Sequence, residues 1–332
     1  MFTIWTTNYC NLQCKYCYEG NEKRKIFMDV TVADATIKWI LGWLKDNRES
    51  ETLIRFHGGE PTLNMPIIRH IITELNKYPE YKFDYELTTN GYCLNGEDIF
   101  FLTQHMNSLS VSMDGNQINN DQYRVTASGQ GTFEKVFENA LKMNELSDNV
   151  SVRMTIKPCQ VKNMLENIMF FVRAGFKSIA IALDIWDDDW TMELLDEIEL
   201  VYNELQQRLT QEEYDDVEIN NVFSAELKKR KCEGGINGFQ INADGNLYPC
   251  TYTVGDKEYV CGSVFKGIDK KQIKCFEKIY AMPIGACEGC TNYEGCISVR
   301  CKYINKKRMG ELDIPISLLC AIEHKKIRNV YE

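Results

Sequence analysis

The chain has 332 residues, 44% hydrophobic and 26% charged, a globular composition that excludes disorder as its main state and suits one large domain or two modest ones. Lys and Arg number 38 against 48 Asp and Glu, a net charge of -10, so there is no general footprint for a phosphate backbone and nucleic acid is not an expected partner. No run approaches the roughly 20 apolar residues of a bilayer span, and Met1 to Thr7 carries no signal-peptide pattern, so a cytoplasmic protein without a membrane partner is expected. In a reducing compartment its 14 cysteines are poor disulfide candidates and better metal or cluster ligands.

From Thr3 to about Thr210, short β-rich runs alternate with longer amphipathic ones, which predicts an α/β fold of six βα units around a parallel sheet. Strands are expected at Thr3–Thr7, Leu53–His57, Phe83–Thr88, Ser108–Met113, Val150–Ile156 and Ser178–Leu183. Helical stripes run over Val32–Lys45, Pro66–Lys77, Phe133–Leu146 and Met192–Leu209. In such architectures chemistry gathers at the C-terminal ends of the strands. The unusual residues fall there: Cys10, Cys14 and Cys17 after the first strand, Gly58-Gly59-Glu60-Pro61 after the second, Thr89-Asn90-Gly91 after the third and Asp114-Gly115 after the fourth.

Beyond a charged, poorly patterned stretch from Gln211 to Asn221 the composition changes, and nine of the 14 cysteines lie between Cys232 and Cys320. Residues 221–332 carry 18 Lys plus Arg against 13 Asp plus Glu, a balance of +5, which leaves -15 for the first 220. A domain boundary is placed here, dividing 1–215 from 216–332. Gly238 to Pro249 reads as a β-hairpin with Asp244-Gly245 at its turn, which would return Cys250 toward Cys232.

Cys10-Asn11-Leu12-Gln13-Cys14-Lys15-Tyr16-Cys17 places three thiolates within eight residues, short enough to wrap one iron–sulfur cubane. Three ligands for four irons leave one iron open to a ligand, unlike a closed electron carrier or a structural zinc site. The alternative at this level is a three-cysteine zinc site. The segment resembles the C-x3-C-x-aromatic-C motif of the radical S-adenosylmethionine (SAM) superfamily, with Tyr16 at the aromatic position, and the resemblance implies a partial (β/α)6 barrel binding a 4Fe-4S cluster and SAM. Gly58, Gly59, Glu60 and Pro61 resemble that family's GGEP motif, whose glycines admit close backbone approach and whose Glu60 would meet the SAM ammonium. Ser110 to Gly115 resembles its SxDG segment, and Arg124 with Gly129, Gly131, Thr132 and Phe133 its R…GxGTF stretch. By that likeness Ser112 and Arg124 contact the SAM carboxylate, although the His expected near Asn119 and Asn120 is lacking.

Cys232, then Gly245 and Cys250, then Cys287-x2-Cys290-x5-Cys296-x4-Cys301 and Cys320, resemble the SPASM extension of that superfamily, with a last short gap of four residues where three are usual. The resemblance implies two auxiliary 4Fe-4S clusters, one on Cys232, Cys250 and Cys301, the other on Cys287, Cys290, Cys296 and Cys320. Cys261 is a candidate fourth ligand of the first; otherwise that cluster has an open iron. A pair of zinc ribbons is the competing structure. Cys93 and Cys159 are expected as small core residues.

If the resemblance holds, an electron from a flavodoxin- or ferredoxin-type donor cleaves SAM to a 5'-deoxyadenosyl radical that abstracts a hydrogen atom, and the auxiliary clusters remove an electron from the substrate. SPASM relatives mostly modify ribosomally made peptides or proteins, so oxidative thioether or carbon–carbon cross-linking is the leading expectation. Formylglycine formation, as in sulfatase-maturating enzymes, ranks lower because Thr251 stands where those enzymes carry a carboxylate base after the cysteine. A peptide epimerase using Cys261 or Cys275, and a non-enzymatic electron carrier or zinc scaffold, complete the alternatives. The chain opens on its first strand, so leader-peptide recognition is expected of a separate protein or another surface.

Overall fold

In the computed structural model, which describes residues 1–20, 24–224 and 232–331, six strands stand within two residues of their expected ends. They are β1 (Phe2–Thr7), β2 (Glu51–Gly58), β3 (Lys82–Thr89), β4 (Ser108–Ser112), β5 (Val150–Ile156) and β6 (Ser178–Leu183). The intervening helices are α1 (Val30–Asn47), α2 (Met65–Leu75), α3 (Gly96–His105), α4 (Gln117–Asp121), α5 (Phe133–Leu146), α6 (Met164–Arg173) and α7 (Met192–Gln211). Local chemistry sets the ends. Asp29 caps α1 by accepting from the Val32 N–H, and Arg48 closes it in the left-handed conformation.

The strands pair in parallel in their sequence order, β1 through β6. Right-handed crossovers without a reversal of direction put every helix on one face, so the sheet curls with the helices outside. This explains why the strands alternate rather than read as continuous apolar runs. One row, including Ile4, Phe56, Leu87, Val111, Met154 and Ile181, is buried; Phe2, for example, meets Trp39 and Trp43 of α1 edge-on at 5.6 and 5.3 Å. The opposite row is polar and lines the concave side: Arg55, His57, Glu86, Ser112 and Arg153, with Arg55 and Glu86 paired at 2.7 Å.

The sheet continues past the compositional boundary. β7 (Glu218–Ile219), inside the stretch expected to lack pattern, pairs with β6. The expected hairpin forms from β8 (Phe239–Ile241) and β9 (Leu247–Tyr248), with Gly245 at φ +80° in its turn. β8 then adds in parallel to β1, Phe2 opposite Phe239 and Ile4 opposite Ile241. Strands from both sides of residue 216 thus share one sheet. Beyond it come β10 (Gly262–Ser263), β11 (Gly267–Ile268), α8 (Lys270–Ala281), α9 (Ile297–Arg300), α10 (Lys302–Met309) and α11 (Ser317–Tyr331). Among the described residues no helix is long and apolar enough to cross a membrane.

Candidate metal and cofactor site

The loop after β1 is fixed by its own backbone. The N–H groups of Gln13 and Lys15 bond the carbonyls of Val125 and Tyr123 at 2.8 and 3.0 Å, and Leu12 is buried as a plug. Cys10, Cys14 and Cys17 are left half-buried. The Cys10 sulfur accepts the Leu12 N–H at 3.4 Å and the Asn90 amide at 3.7 Å, the kind of donors that stabilise a ligating thiolate. Three cysteines held this way fit a cubane with one open iron.

The glycines of Gly58-Gly59-Glu60-Pro61 serve this loop directly. A Cβ on Gly59 would stand 2.4 Å from the Tyr9 carbonyl oxygen, and one on Gly58, at φ +145°, 2.1 Å from that of Thr7. The backbone they let approach is the chain's own, at the entrance to Cys10, rather than a ligand. Glu60 is buried and already occupied: it accepts the Thr62 hydroxyl at 2.7 Å, the Thr89 hydroxyl at 2.7 Å and the Asn90 N–H at 2.6 Å. Burial raises its pKa, opposed by those hydrogen bonds. Its clear work is to tie the end of β2 to the end of β3.

Tyr16 donates its hydroxyl proton to Asp114 at 2.5 Å and accepts from Arg124 at 2.6 Å. Burial raises both the Tyr16 and Asp114 pKa values. Asp114 also accepts the Thr155 N–H at 3.0 Å, so this fully buried carboxylate, to which the sequence assigned no role, joins the cysteine loop to β4 and β5. The Arg124 guanidinium, buried and held by Tyr16 with Cys14 and Asp114 as charged neighbours, and the half-buried Ser112 hydroxyl offer donors that fit a ligand carboxylate. In place of the absent histidine stand two buried amides: Asn119 donates to the Asn116 and Asn167 side-chain oxygens, and Asn120 accepts the Asp114 N–H and donates to Asp121 and Thr132. Beside Cys17 opens a cavity of about 550 Å³ walled by Tyr16, Tyr18, Trp186 and the Lys157 ion pairs with Asp184 at 3.0 Å and Asp187 at 2.5 Å, within the size range of small-molecule sites.

The later cysteines gather in two sets. Cys287, Cys290, Cys296 and Cys320 line one small cavity. Cys232, Cys250 and Cys301 form the other: burial pushes the Cys250 thiol up to about 12, and Cys232 and Cys301 add to the rise as neighbours. Gly234 permits this, since a Cβ there would meet the Pro249 carbonyl oxygen at 2.2 Å. Thiols held this far up shed their protons when they ligate a metal. Cys261 does not join them; it is fully buried in the apolar core, with Asp269 as its charged neighbour. Cys93 and Cys159, expected in the core, are exposed, Cys93 beside the Asn11 amide at 3.2 Å and Cys159 beside the Tyr123 hydroxyl at 2.9 Å. Among the described residues no three His, Cys, Asp or Glu side chains draw in tightly enough for a single metal ion.

Aromatic rings join the two ends of the chain. Tyr18 and Tyr252 meet at 5.3 Å and Trp186 meets Tyr252 at 5.9 Å. Burial holds the Tyr18 hydroxyl well above its usual range, and Glu19, Tyr252, Cys17 and Cys250 add to the effect, so Tyr18 has thiols of both the first cysteine loop and the first of the later sets as electrostatic neighbours.

The family model described as "Radical SAM superfamily" matches residues 4–172. The cysteine-type anaerobic sulfatase-maturating enzyme of Clostridium novyi (strain NT) is 25% identical over 281 residues, 77% of this chain and 74% of that one. The solved structure of native anSMEcpe with bound AdoMet and Cp18Cys peptide superposes with a TM-score of 0.78 at 19% identity, covering 99% of this chain and 96% of that chain. SuiB of Streptococcus suis bound to precursor peptide SuiA gives 0.69 at 16% identity, covering 96% and 75%.

Proposed function

Because the chain belongs to the radical SAM superfamily of enzymes, we propose that it is a maturase that oxidatively cross-links a ribosomally made peptide through a thioether or carbon–carbon bond. Cys10, Cys14 and Cys17 hold the SAM-binding 4Fe-4S cluster, with Arg124 and Ser112 toward the SAM carboxylate. When bound, cluster and SAM supply a 5'-deoxyadenosyl radical that removes a hydrogen atom from substrate. The protein's own work is placement: Tyr16 and Asp114 fix Arg124, the Glu60 hydrogen bonds fix the loops on either side, and Tyr18 and Trp186, both packed on Tyr252, wall the cavity.

The observation that carries the cross-linking reading is the contact of Tyr18, next to Cys17, with Tyr252, two residues past Cys250, at 5.3 Å. It sets thiols suited to auxiliary clusters beside the radical-generating end, where they can take the second electron from the substrate. The named relatives support a peptide substrate, being a sulfatase-maturating enzyme and SuiB bound to its precursor peptide. Formylglycine formation is less favoured: Thr251 donates its hydroxyl to Gln240 at 3.0 Å and provides no base. Epimerisation is less favoured too, since Cys261 is sealed in the core and Cys275 is exposed on α8. A flavodoxin- or ferredoxin-type donor and a separate leader-binding protein complete the reading.

The test is anaerobic incubation of reconstituted protein, SAM and reductant with short peptides encoded beside its gene, followed by high-resolution mass spectrometry. Loss of two hydrogens from one peptide is the expected result, with fragmentation locating the bond. 5'-Deoxyadenosine formed with every peptide mass unchanged would reject cross-linking of those peptides.

A further inference from the structure

The helix that follows Cys301 buries a lysine. Lys302, the first residue of α10, is 1% exposed, and its ammonium has no hydrogen-bond partner among the described residues. Asp313 acts on it electrostatically without bonding to it. Proteins keep buried charges paired, because an ammonium taken from water and left alone is strongly destabilising. Lys302 is not isolated in this respect. The Ser298 hydroxyl, which lines the cavity of Cys287, Cys290, Cys296 and Cys320, and the Asn305 side-chain oxygen are also buried without partners among the described residues. That segment is arranged around something polar that the polypeptide does not itself provide.

The sign of the missing partner follows from the neighbours. Lys302 and Cys287 act on one another electrostatically, and Cys287 shares its cavity with Cys290, Cys296 and Cys320. We infer that Lys302 is the fixed counter-ion of an iron–sulfur cluster held by these four cysteines and raises that cluster's reduction potential. The inference rests on the reading that the four thiolates hold a cluster. A cubane on four thiolates carries net negative charge, which grows by one when it takes up an electron. A fixed positive charge in a low-dielectric interior stabilises the more negative state more, and net charge is one of the levers that set such potentials. The lysine would make this cluster the more ready electron acceptor.

The test is a redox titration of the reconstituted full-length chain followed by electron paramagnetic resonance, comparing wild type with Lys302→Met and Lys302→Gln. Methionine matches the stem and removes the charge; glutamine keeps a polar end should the first variant fail to load. In either variant the reduction equilibrium of this cluster should shift at least tenfold toward the oxidised form, 59 mV for a one-electron couple, while the Cys10, Cys14 and Cys17 cluster titrates as before. An unmoved potential in a loaded variant overturns the role of Lys302 and leaves the cluster standing. Equal iron content and spectra in wild type and in a variant lacking all four of Cys287, Cys290, Cys296 and Cys320 would show that no cluster sits there, and would overturn both.

Discussion

The barrel and the cysteine-rich C-terminal region build their sites by opposite means. In the barrel the loop of Cys10, Cys14 and Cys17 is anchored by backbone hydrogen bonds to Tyr123 and Val125 and by a continuous parallel sheet, so its thiols are positioned by peptide alone. Beyond β9 the described strands are only two residues long, and the segment from Ser298 to Asn305 leaves polar groups buried and unsatisfied. There the thiols are brought near one another in a region whose own side chains leave those polar groups unsatisfied. A site that must accept and release SAM is preformed; a site whose metal would stay in place can be part of the fold.

The sharpest way to break that contrast is Cys14→Ala. It should abolish reductive SAM cleavage, read as 5'-deoxyadenosine, while iron at the later cysteines is retained; persistent cleavage would refute the ligand assignment. Cys290→Ala should do the reverse, leaving SAM cleavage but stopping peptide modification, and mass spectrometry showing normal product would remove that cluster from the reaction.

Glu60→Ala is expected to cost about 2–3 kcal/mol by denaturant titration, because the Asn90 N–H and two threonine hydroxyls lose a buried acceptor. A neutral result would mean that water replaces the carboxylate. The smallest effect concerns His57. Burial, aided by Arg55 and Arg153, holds its pKa down to about 4, against roughly 6.5 when unfolded. Between these values the unfolded chain binds the extra proton, so the stability His57 contributes is full above about pH 6.5 and is lost as pH falls toward 4. His57→Gln should flatten that pH dependence, measured by denaturation at several pH values across this window; an unchanged slope would place the imidazole in water.

Much of this was legible in the chain. The alternation of strands and helical stripes located β1 to β6 because periodicity reports directly which face is buried. The hairpin at Asp244-Gly245 followed from turn chemistry. The resemblance to the SPASM extension grouped Cys287, Cys290, Cys296 and Cys320, passing over the nearer Cys301, and these four share one cavity. Other features were hidden. Cys261 lies 11 residues past Cys250 and looked like a fourth ligand, yet the β9 backbone turns it inward: its N–H bonds the Leu247 carbonyl at 2.8 Å. Cys93 and Cys159 gave no periodic signal and proved exposed.

Sequence by itself determined the six βα units and, through its motifs, the family, because these depend on local periodicity and on spacings as short as that of Cys10, Cys14 and Cys17. Only the tertiary structure decided that β8 adds to β1 across the compositional boundary, that Glu60 is bonded by Thr89 and Asn90, that Asp114 couples Tyr16 to Thr155, and that Tyr18 packs on Tyr252. Each joins residues distant along the chain. No pattern along the sequence encodes such a meeting; it arises when the sheet curls and brings the strand ends to one rim.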